Sequence, residues 1–178
     1  MQKAEGGRVK AEGLLRALRA ARFDVVPSAS LSSAFRLPPC PLHPVMPMLV
    51  WIVDDASSNH RAVMATVQRL PEFTCEGFLD GDEAVAEFAH RTRHAVDRLP
   101  RVILMDFYLG GTRGDDLTER LRAVHTPLTP IIVGYSSVGS GSRQIVAAGG
   151  DLVVRKHTAS DGTNPDLRVY LETLLRIA

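Results

Sequence analysis

The chain has 178 residues, 45% of them hydrophobic and 23% charged, which suits one folded domain with an additional segment. This composition excludes a long disordered chain. It also excludes a membrane span, because the longest run of large apolar residues, Leu49 to Val53, is far shorter than the ~20 residues required. The formal net charge is +1, but residues 1 to 48 carry seven basic residues against three acidic ones. The remaining residues are therefore acidic overall, and we expect the functional site among them.

The composition changes near residue 48. Five of the eleven residues from Leu37 to Pro47 are proline, which is typical of a linker. Upstream, apolar residues at helical spacing predict one weak basic helix, either a loosely packed extension or a docking element for an acidic surface. Alternatively, translation begins at Met46 or Met48. The predicted organisation is a basic, proline-rich extension over residues 1–48 and one domain over residues 49–178.

The cysteines and the N-terminus indicate the compartment. Cys40 and Cys75 are far apart, with no Cys or His at ligand spacing, so neither a disulfide framework nor a structural zinc site is expected. Arg16, Arg19 and Arg22 interrupt the only apolar stretch near the N-terminus, which argues against a secretory signal. We therefore expect a cytoplasmic protein that binds neither membrane nor nucleic acid.

From residue 49 onward, strand and helix patterns alternate five times. Short apolar runs predict buried parallel strands at Leu49–Val53, Phe73–Phe78, Arg101–Met105, Pro130–Gly134 and Leu152–Val154. Helical spacing predicts helices after each strand: around Val63 to Leu70, from Asp80 with a capping-box Glu83, around Leu117 to Val124, over a short stretch from Arg143 to Ala148, and from Asn164–Pro165 onward. The predicted fold class is α/β: a (βα)5 parallel sheet with right-handed crossovers.

Chemically active side chains follow the predicted strand ends. Asp54 and Asp55 follow the first strand, Asp106 the third, Ser136 and Ser137 the fourth, and Lys156 the fifth. The carboxyl ends of parallel strands share one edge of the sheet, so these groups should converge there. Three adjacent carboxylates repel one another unless a cation lies among them, and an all-oxygen site suits Mg²⁺. Asp106 is the best candidate nucleophile towards phosphorus, which would form an aspartyl phosphate.

These residues resemble a known family. The matching segments are Val53-Asp54-Asp55, Leu104-Met105-Asp106 followed eight residues later by Gly114, Pro130-Ile131-Ile132 leading to Ser136, Ala148-Gly149-Gly150-Asp151, and Lys156. Five such segments in this order resemble the receiver domain of two-component response regulators. The resemblance covers residues 49–178, about three quarters of the chain. It implies a flavodoxin-like (βα)5 doubly wound parallel sheet with strand order 2-1-3-4-5.

The resemblance implies a role for each matching residue. Asp106 would accept the phosphoryl group, and the metal ligands would be Asp55 directly, Asp54 mainly through water, Asp106, and the backbone carbonyl of Tyr108. Ser136 would bind a phosphoryl oxygen, with Ser137 as a less favoured substitute. Lys156 would pair with Asp106 before phosphorylation and with the phosphoryl group afterwards. The donor would be a phosphohistidine on a sensor histidine kinase or a histidine phosphotransfer protein.

Three departures concern signalling output. Val153 stands where the family often has an aromatic switch residue, and His157 replaces a proline, so a cis peptide after Lys156 is not expected. Leu109-Gly110-Gly111 replaces the family's Met-Pro. The histidines at positions 60, 90, 94, 125 and 157 are predicted to be surface residues.

The leading hypothesis is a stand-alone response regulator that signals by phosphorylation-dependent binding of a downstream protein or passes the phosphoryl group onward. No output domain is recognised before the chain ends at Ala178. Catalysis would be limited to its own phosphorylation and slow dephosphorylation. One alternative is a receiver-like scaffold that acts without phosphorylation. Another is a magnesium-dependent phosphohydrolase, which would need an acid where Tyr108 stands.

Overall fold

The structure is a computed structural model that describes residues 46–177. The prediction for the basic, proline-rich extension therefore lies almost wholly outside the described residues. None of the helices in the described range is long and apolar enough to cross a membrane.

A five-stranded parallel sheet forms the centre of the described domain. Its strands are β1 (Met48–Val53), β2 (Phe73–Phe78), β3 (Val102–Met105), β6 (Ile131–Gly134) and β7 (Leu152–Val153). The two short strands between β3 and β6, β4 (Tyr108–Leu109) and β5 (Thr112–Arg113), pair with each other outside this sheet. They lie in the order β2-β1-β3-β6-β7, and every neighbouring pair is parallel. When these five strands are counted along the chain, the order is 2-1-3-4-5. The predicted fold class is therefore confirmed.

Five α-helices connect the strands: α1 (Ser57–Val67), α2 (Gly81–His94), α3 (Gly114–Ala123), α4 (Gly139–Ala147) and α5 (Pro165–Ile177). Two of them begin at side-chain caps. The Asp80 carboxylate accepts a hydrogen bond from the backbone N–H of Glu83 at 2.9 Å, as the capping-box spacing predicts. Asn164 Oδ1 accepts from the N–H of Leu167 at 3.0 Å, and Pro165 occupies the first helical position. A short 3₁₀ helix, Val96–Arg98, follows α2.

Successive side chains along the central strands point to opposite faces of the sheet, so the core has two layers. Val50 and Ile52 of β1 face a cluster that includes residues of α1 and α5, such as Val63 and Leu171. Trp51 and Val53 face the opposite cluster, which holds residues of α2, α3 and α4. Both faces are fully covered from Val50 to Val53 of β1 and throughout β3, which explains their continuous apolar runs. Each such side chain contributes about 1.5–3 kcal/mol by burial.

The structure differs from the sequence-based prediction in two places. A hairpin of β4 (Tyr108–Leu109) and β5 (Thr112–Arg113) follows β3, and it turns at two glycines with φ of 55° and 132°. Helix α4 begins at Gly139, four residues before the predicted start at Arg143, so two glycines belong to its first turn. At Gly141 a Cβ atom would lie 2.6 Å from the Phe107 ring, and this close packing explains a glycine inside the helix.

Candidate functional site

The carboxyl ends of β1 and β3 bring two aspartates together. Val53 and Met105, the last residues of these strands, are register partners, and the N–H of Asp106 donates to the carbonyl of Val53 at 3.0 Å. Asp54 and Asp106 therefore begin the two adjacent loops. One carboxylate oxygen from each of Asp54, Asp55 and Asp106 lies within 4.8 Å of the other two. Asp54 and Asp106 are buried, whereas Asp55 is exposed.

Lys156 reaches the same cluster from the loop after β7. Its Nζ lies 2.5 Å from Asp54 Oδ2 and 3.2 Å from Asp106 Oδ1, and its side chain is only 10% exposed. The ammonium is not aligned for a hydrogen bond with Asp106 Oδ1, which is buried and has no hydrogen-bond partner among the described residues. An unpartnered buried carboxylate oxygen beside a cation is an acceptor kept free for another group. Lys156 therefore contacts both buried aspartates, Asp54 more closely.

Two residues of α1 that were not predicted as site residues hold Asp54 in place. Asn59 Nδ2 donates to Asp54 Oδ1 at 2.9 Å and lies 3.0 Å from Oδ2, and the N–H of Ala56 donates to Oδ1 at 2.9 Å. His60 Nε2 lies 2.6 Å from the backbone carbonyl of Asp54. The prediction of His60 as a surface residue is wrong, because it is 8% exposed and packs against the backbone of Gly77. Gly77 has no side chain, and this leaves room for the ring.

The residues after Asp106 form one wall of the site. The Tyr108 side chain is 60% exposed, and its ring packs edge-on against that of Phe107, with 4.8 Å between centroids. Only the backbone carbonyl of Tyr108 was predicted as a ligand. At the turn of the β4–β5 hairpin, a Cβ on Gly110 would lie 3.8 Å from Asp55 Oδ2. The segment Leu109-Gly110-Gly111, which replaces the family's Met-Pro, therefore places its backbone beside the exposed carboxylate of Asp55.

The donor set of this cluster suits a divalent cation. All the groups that face one another are carboxylate oxygens, which Mg²⁺ and Ca²⁺ prefer. Asp55 is exposed, and Asp106 Oδ1 has no hydrogen-bond partner in the described part of the chain. Asp55 can therefore bind a metal without losing an ion pair among the described residues, whereas Asp106 would share its charge between the metal and Lys156, 3.2 Å away.

Ser136 and Ser137 follow β6 but differ in their surroundings. The N–H of Tyr135 donates to the carbonyl of Met105 at 2.8 Å, so the chain after β6 runs beside Asp106. Ser136 is 6% exposed, whereas Ser137 is exposed. The Ser136 hydroxyl accepts a hydrogen bond from the N–H of Val138 at 3.3 Å and, within residues 46–177, donates none. Its proton is therefore available for an anion bound beside Asp106.

Tyr135 lies beneath the lysine. Its ring centroid is 5.9 Å from Lys156 Nζ, and its hydroxyl accepts a hydrogen bond from Asn164 Nδ2 at 2.8 Å. Burial raises the pKa of Tyr135 to about 12. The hydrogen bond from Asn164 works in the opposite direction, and the negative charges of Asp54 and Asp106 add to the increase. The ring is therefore neutral at physiological pH, and its electron-rich face attracts the ammonium.

No family model and no curated protein matches the chain. Several solved structures, however, are similar to the chain. A CheY-like response regulator receiver domain from Methylobacillus flagellatus aligns with a TM-score of 0.56 and 18% identity, covering 73% of this chain and 97% of that one. The chain has the receiver-domain fold. The receiver domain of the histidine kinase CKI1 from Arabidopsis thaliana, solved as a mutant, aligns with a TM-score of 0.59 and 19% identity, covering 75% of this chain and 91% of that one.

A third receiver-fold structure was solved with ligands. It is a response regulator protein from Burkholderia pseudomallei with a phosphorylated aspartic acid, a calcium ion and citrate. It aligns with a TM-score of 0.51 and 17% identity, covering 72% of this chain and 74% of that one.

Two of the predicted departures, Val153 and His157, lie in or after β7. Val153 is 47% exposed on this edge strand, so its side chain does not enter the core. The peptide bond between Lys156 and His157 is trans, since the described residues contain no cis peptide. His157 Nδ1 lies 3.6 Å from an Asp166 carboxylate oxygen of α5. Two of the three departures thus lie near the lysine, whereas the third, Leu109-Gly110-Gly111, lies beside Asp55.

Proposed function

We propose that this protein is a response regulator that accepts a phosphoryl group on Asp106 and signals by phosphorylation-dependent protein binding. One observation carries the proposal: three carboxylates lie within 4.8 Å of one another, a buried lysine contacts two of them, and Asp106 Oδ1 is left without a hydrogen-bond partner among the described residues. The receiver-domain fold supports it, because its strand order brings these groups to one edge.

The proposed reaction transfers a phosphoryl group from a phosphohistidine on a sensor histidine kinase or a histidine phosphotransfer protein. An Asp106 oxygen forms a bond to phosphorus while the phosphorus–nitrogen bond breaks, and the electron pair leaves with the imidazole of the donor. Lys156 neutralises charge on the transferred oxygens from its position 3.2 Å from Asp106. The Ser136 hydroxyl donates a hydrogen bond to one of these oxygens.

The proposed cofactor is Mg²⁺, held directly by Asp55, Asp106 and the backbone carbonyl of Tyr108, with Asp54 acting mainly through water. When bound, the metal neutralises negative charge on the carboxylates and on the transferred group. The protein is not proposed to turn over substrates. Its chemistry is limited to its own phosphorylation and slow dephosphorylation.

Signalling follows from the added charge. A phosphoryl group brings up to about two negative charges and three acceptor oxygens into a largely buried site. Ser136 is the residue drawn towards it, and its backbone N–H donates to Ser142 Oγ in α4 at 3.2 Å. A shift of Ser136 therefore moves the start of α4 and the surface formed with β7 and α5, where an output protein would dock.

Phosphorylation of the purified full-length chain tests this function. After incubation with Mg²⁺ and a small acyl phosphate, intact mass spectrometry should show one acid-labile phosphoryl group on the wild type. Asp106→Ala should show none, whereas Glu119→Gln, which removes an exposed acid of α3, should match the wild type.

Other outcomes would select the alternatives. A wild type that stays unmodified with several acyl phosphates and a phosphorylated histidine phosphotransfer protein would favour the scaffold. Steady release of phosphate from phosphomonoesters would favour the hydrolase.

A further inference from the structure

The buried aspartates differ sharply in how many donors surround them. Asp54 is fully buried, and both of its oxygens are engaged: Oδ1 by the Ala56 N–H and Asn59, and Oδ2 by Asn59 and Lys156. Asp106 Oδ1, in contrast, has no hydrogen-bond partner in the described range. A carboxylate offers about four acceptor positions, so a metal ion that bound Asp54 directly would have to displace one of these donors.

Asn59 is the α1 side chain that contacts both oxygens of the Asp54 carboxylate. Its amide nitrogen lies 2.9 Å and 3.0 Å from the two Asp54 oxygens, and apart from Lys156 no other side chain in residues 46–177 donates to this carboxylate. With the carboxylate fixed from the α1 side, Oδ2 faces Lys156 at 2.5 Å. Asp54 in turn keeps the ammonium within 3.2 Å of Asp106. The contacts thus run in sequence from Asn59 through Asp54 and Lys156 to Asp106.

We propose that Asn59 is a positioning residue for phosphorylation of Asp106, because it orients Asp54 to hold Lys156 rather than to bind the metal directly. This inference rests on the proposed function. It divides the acidic cluster into two parts: Asp55 and Asp106 are the direct carboxylate ligands of the metal, and Asp54 anchors the lysine.

Two variants of Asn59 separate positioning from packing. Asn59→Leu keeps the branched shape and approximate size of the side chain and adds no charge, but it has no amide donor. Asn59→Ala removes both shape and donor. If Asn59 acts only by filling space at the start of α1, the Leu variant should behave like the wild type. If its amide orients Asp54, both variants should be defective. Ser58→Ala, at an exposed neighbouring position, is the matched control.

The first measurement needs no phosphorylation. Lys156 is the only lysine in residues 46–177, so its ammonium can be followed by NMR of ¹⁵N-lysine-labelled full-length protein. In the wild type without metal, the Lys156 ammonium protons should exchange slowly with solvent, because the group is buried between two carboxylates. Both Asn59 variants should exchange about tenfold faster or more, as expected for loss of a hydrogen bond to a charged group. Unchanged exchange would overturn the proposal.

The second measurement separates metal binding from phosphorylation. Calorimetric Mg²⁺ titration of the unphosphorylated variants should give an affinity equal to or higher than that of the wild type, since Asp54 gains a free oxygen. Their phosphorylation rate at saturating Mg²⁺ should fall by about tenfold. Mg²⁺ affinity that falls tenfold, with an unchanged rate at saturation, would show that Asn59 supports the metal instead and would refute the proposal.

Failure of this inference is distinguishable from failure of the proposed function. A wild type that accepts no phosphoryl group contradicts the proposed function, whereas lysine exchange and Mg²⁺ affinity still test the role of Asn59. A wild type that is phosphorylated, with Asn59 variants that react equally fast, contradicts only the role of Asn59. Urea unfolding of each variant establishes that it is folded under the assay conditions.

Discussion

Replacing Asp55 by asparagine should make the metal-free protein more stable. Asp55 is exposed and forms no ion pair within the described residues, yet one of its oxygens lies within 4.8 Å of those of Asp54 and Asp106. At this separation two unit charges repel by about 0.9 kcal/mol in a medium with the permittivity of water. Two such repulsions, reduced by salt and by attraction to Lys156, leave a net gain of about 1 kcal/mol in the free energy of unfolding. A gain of this size corresponds to a melting temperature about 3–5 °C higher.

Mg²⁺ should make the wild type more stable than the Asp55→Asn variant, the reverse of the order without metal. The wild type gains stability from bound metal, by about 1.4 kcal/mol at a concentration ten times the dissociation constant, whereas the neutral amide of the Asp55→Asn variant is a weaker ligand. Urea unfolding with and without Mg²⁺ measures both effects, and Glu119→Gln serves as the control for loss of an exposed acidic charge. A metal-free Asp55→Asn variant no more stable than the wild type would refute the repulsion argument. An undiminished Mg²⁺ effect in that variant would show that Asp55 is not a ligand.

Three further predictions concern other parts of the domain. Gly114→Ala should lower the free energy of unfolding by about 2 kcal/mol in urea titrations, because the added Cβ would meet the backbone oxygen of Asp106 at 2.0 Å; an unchanged midpoint would contradict this contact. Burial, with a further contribution from the charge of Glu76, raises the pKa of the Cys75 thiol to about 12. Alkylation of the native protein at pH 8 should therefore be at least about 30-fold slower at Cys75 than in urea, as measured by peptide mass spectrometry; equal rates would show an ordinary thiol. Hydrogen bonds from Thr163 and Arg69 lower the pKa of Asp161 to about 2. The contribution of Asp161 to stability is therefore complete above about pH 4 and is lost as the pH falls towards 2. Asp161→Asn should flatten this part of the plot of unfolding free energy against pH, and a plot as steep as that of the wild type would exclude a contribution from Asp161.

Much of the fold could be predicted from the sequence because β1 and β3 contain short apolar runs that are buried on both faces, and because strand and helix patterns alternate along the chain. Repeated βα units do not determine the strand order, and the order 2-1-3-4-5 was implied by the resemblance to receiver domains. The β4–β5 hairpin could not be predicted, since its strands have only two residues each and no apolar alternation. The predicted start of α4 was wrong because its two glycines disfavour a helix locally, and the packing against Phe107 that explains Gly141 is not visible in the sequence.

The convergence of the three aspartates with Lys156 was predictable, because the residue that follows each parallel strand comes to the same edge. The residues that contact Asp54 were not predictable from the sequence. Asn59 and His60 lie in a helix, and their sequence positions resemble those of ordinary surface residues. Their contacts depend on how α1 packs over the end of β1, which periodicity does not specify.

The most direct test of the central claim is to locate the phosphoryl group within the chain. Borohydride reduces an aspartyl phosphate to homoserine, so peptide mass spectrometry of the reduced phosphorylated protein identifies the modified residue. Homoserine at position 106, formed only when Mg²⁺ is present, is the predicted result. Modification at another residue, or none at position 106 under conditions in which the donor is consumed, would contradict the assignment of Asp106 as the phosphoacceptor.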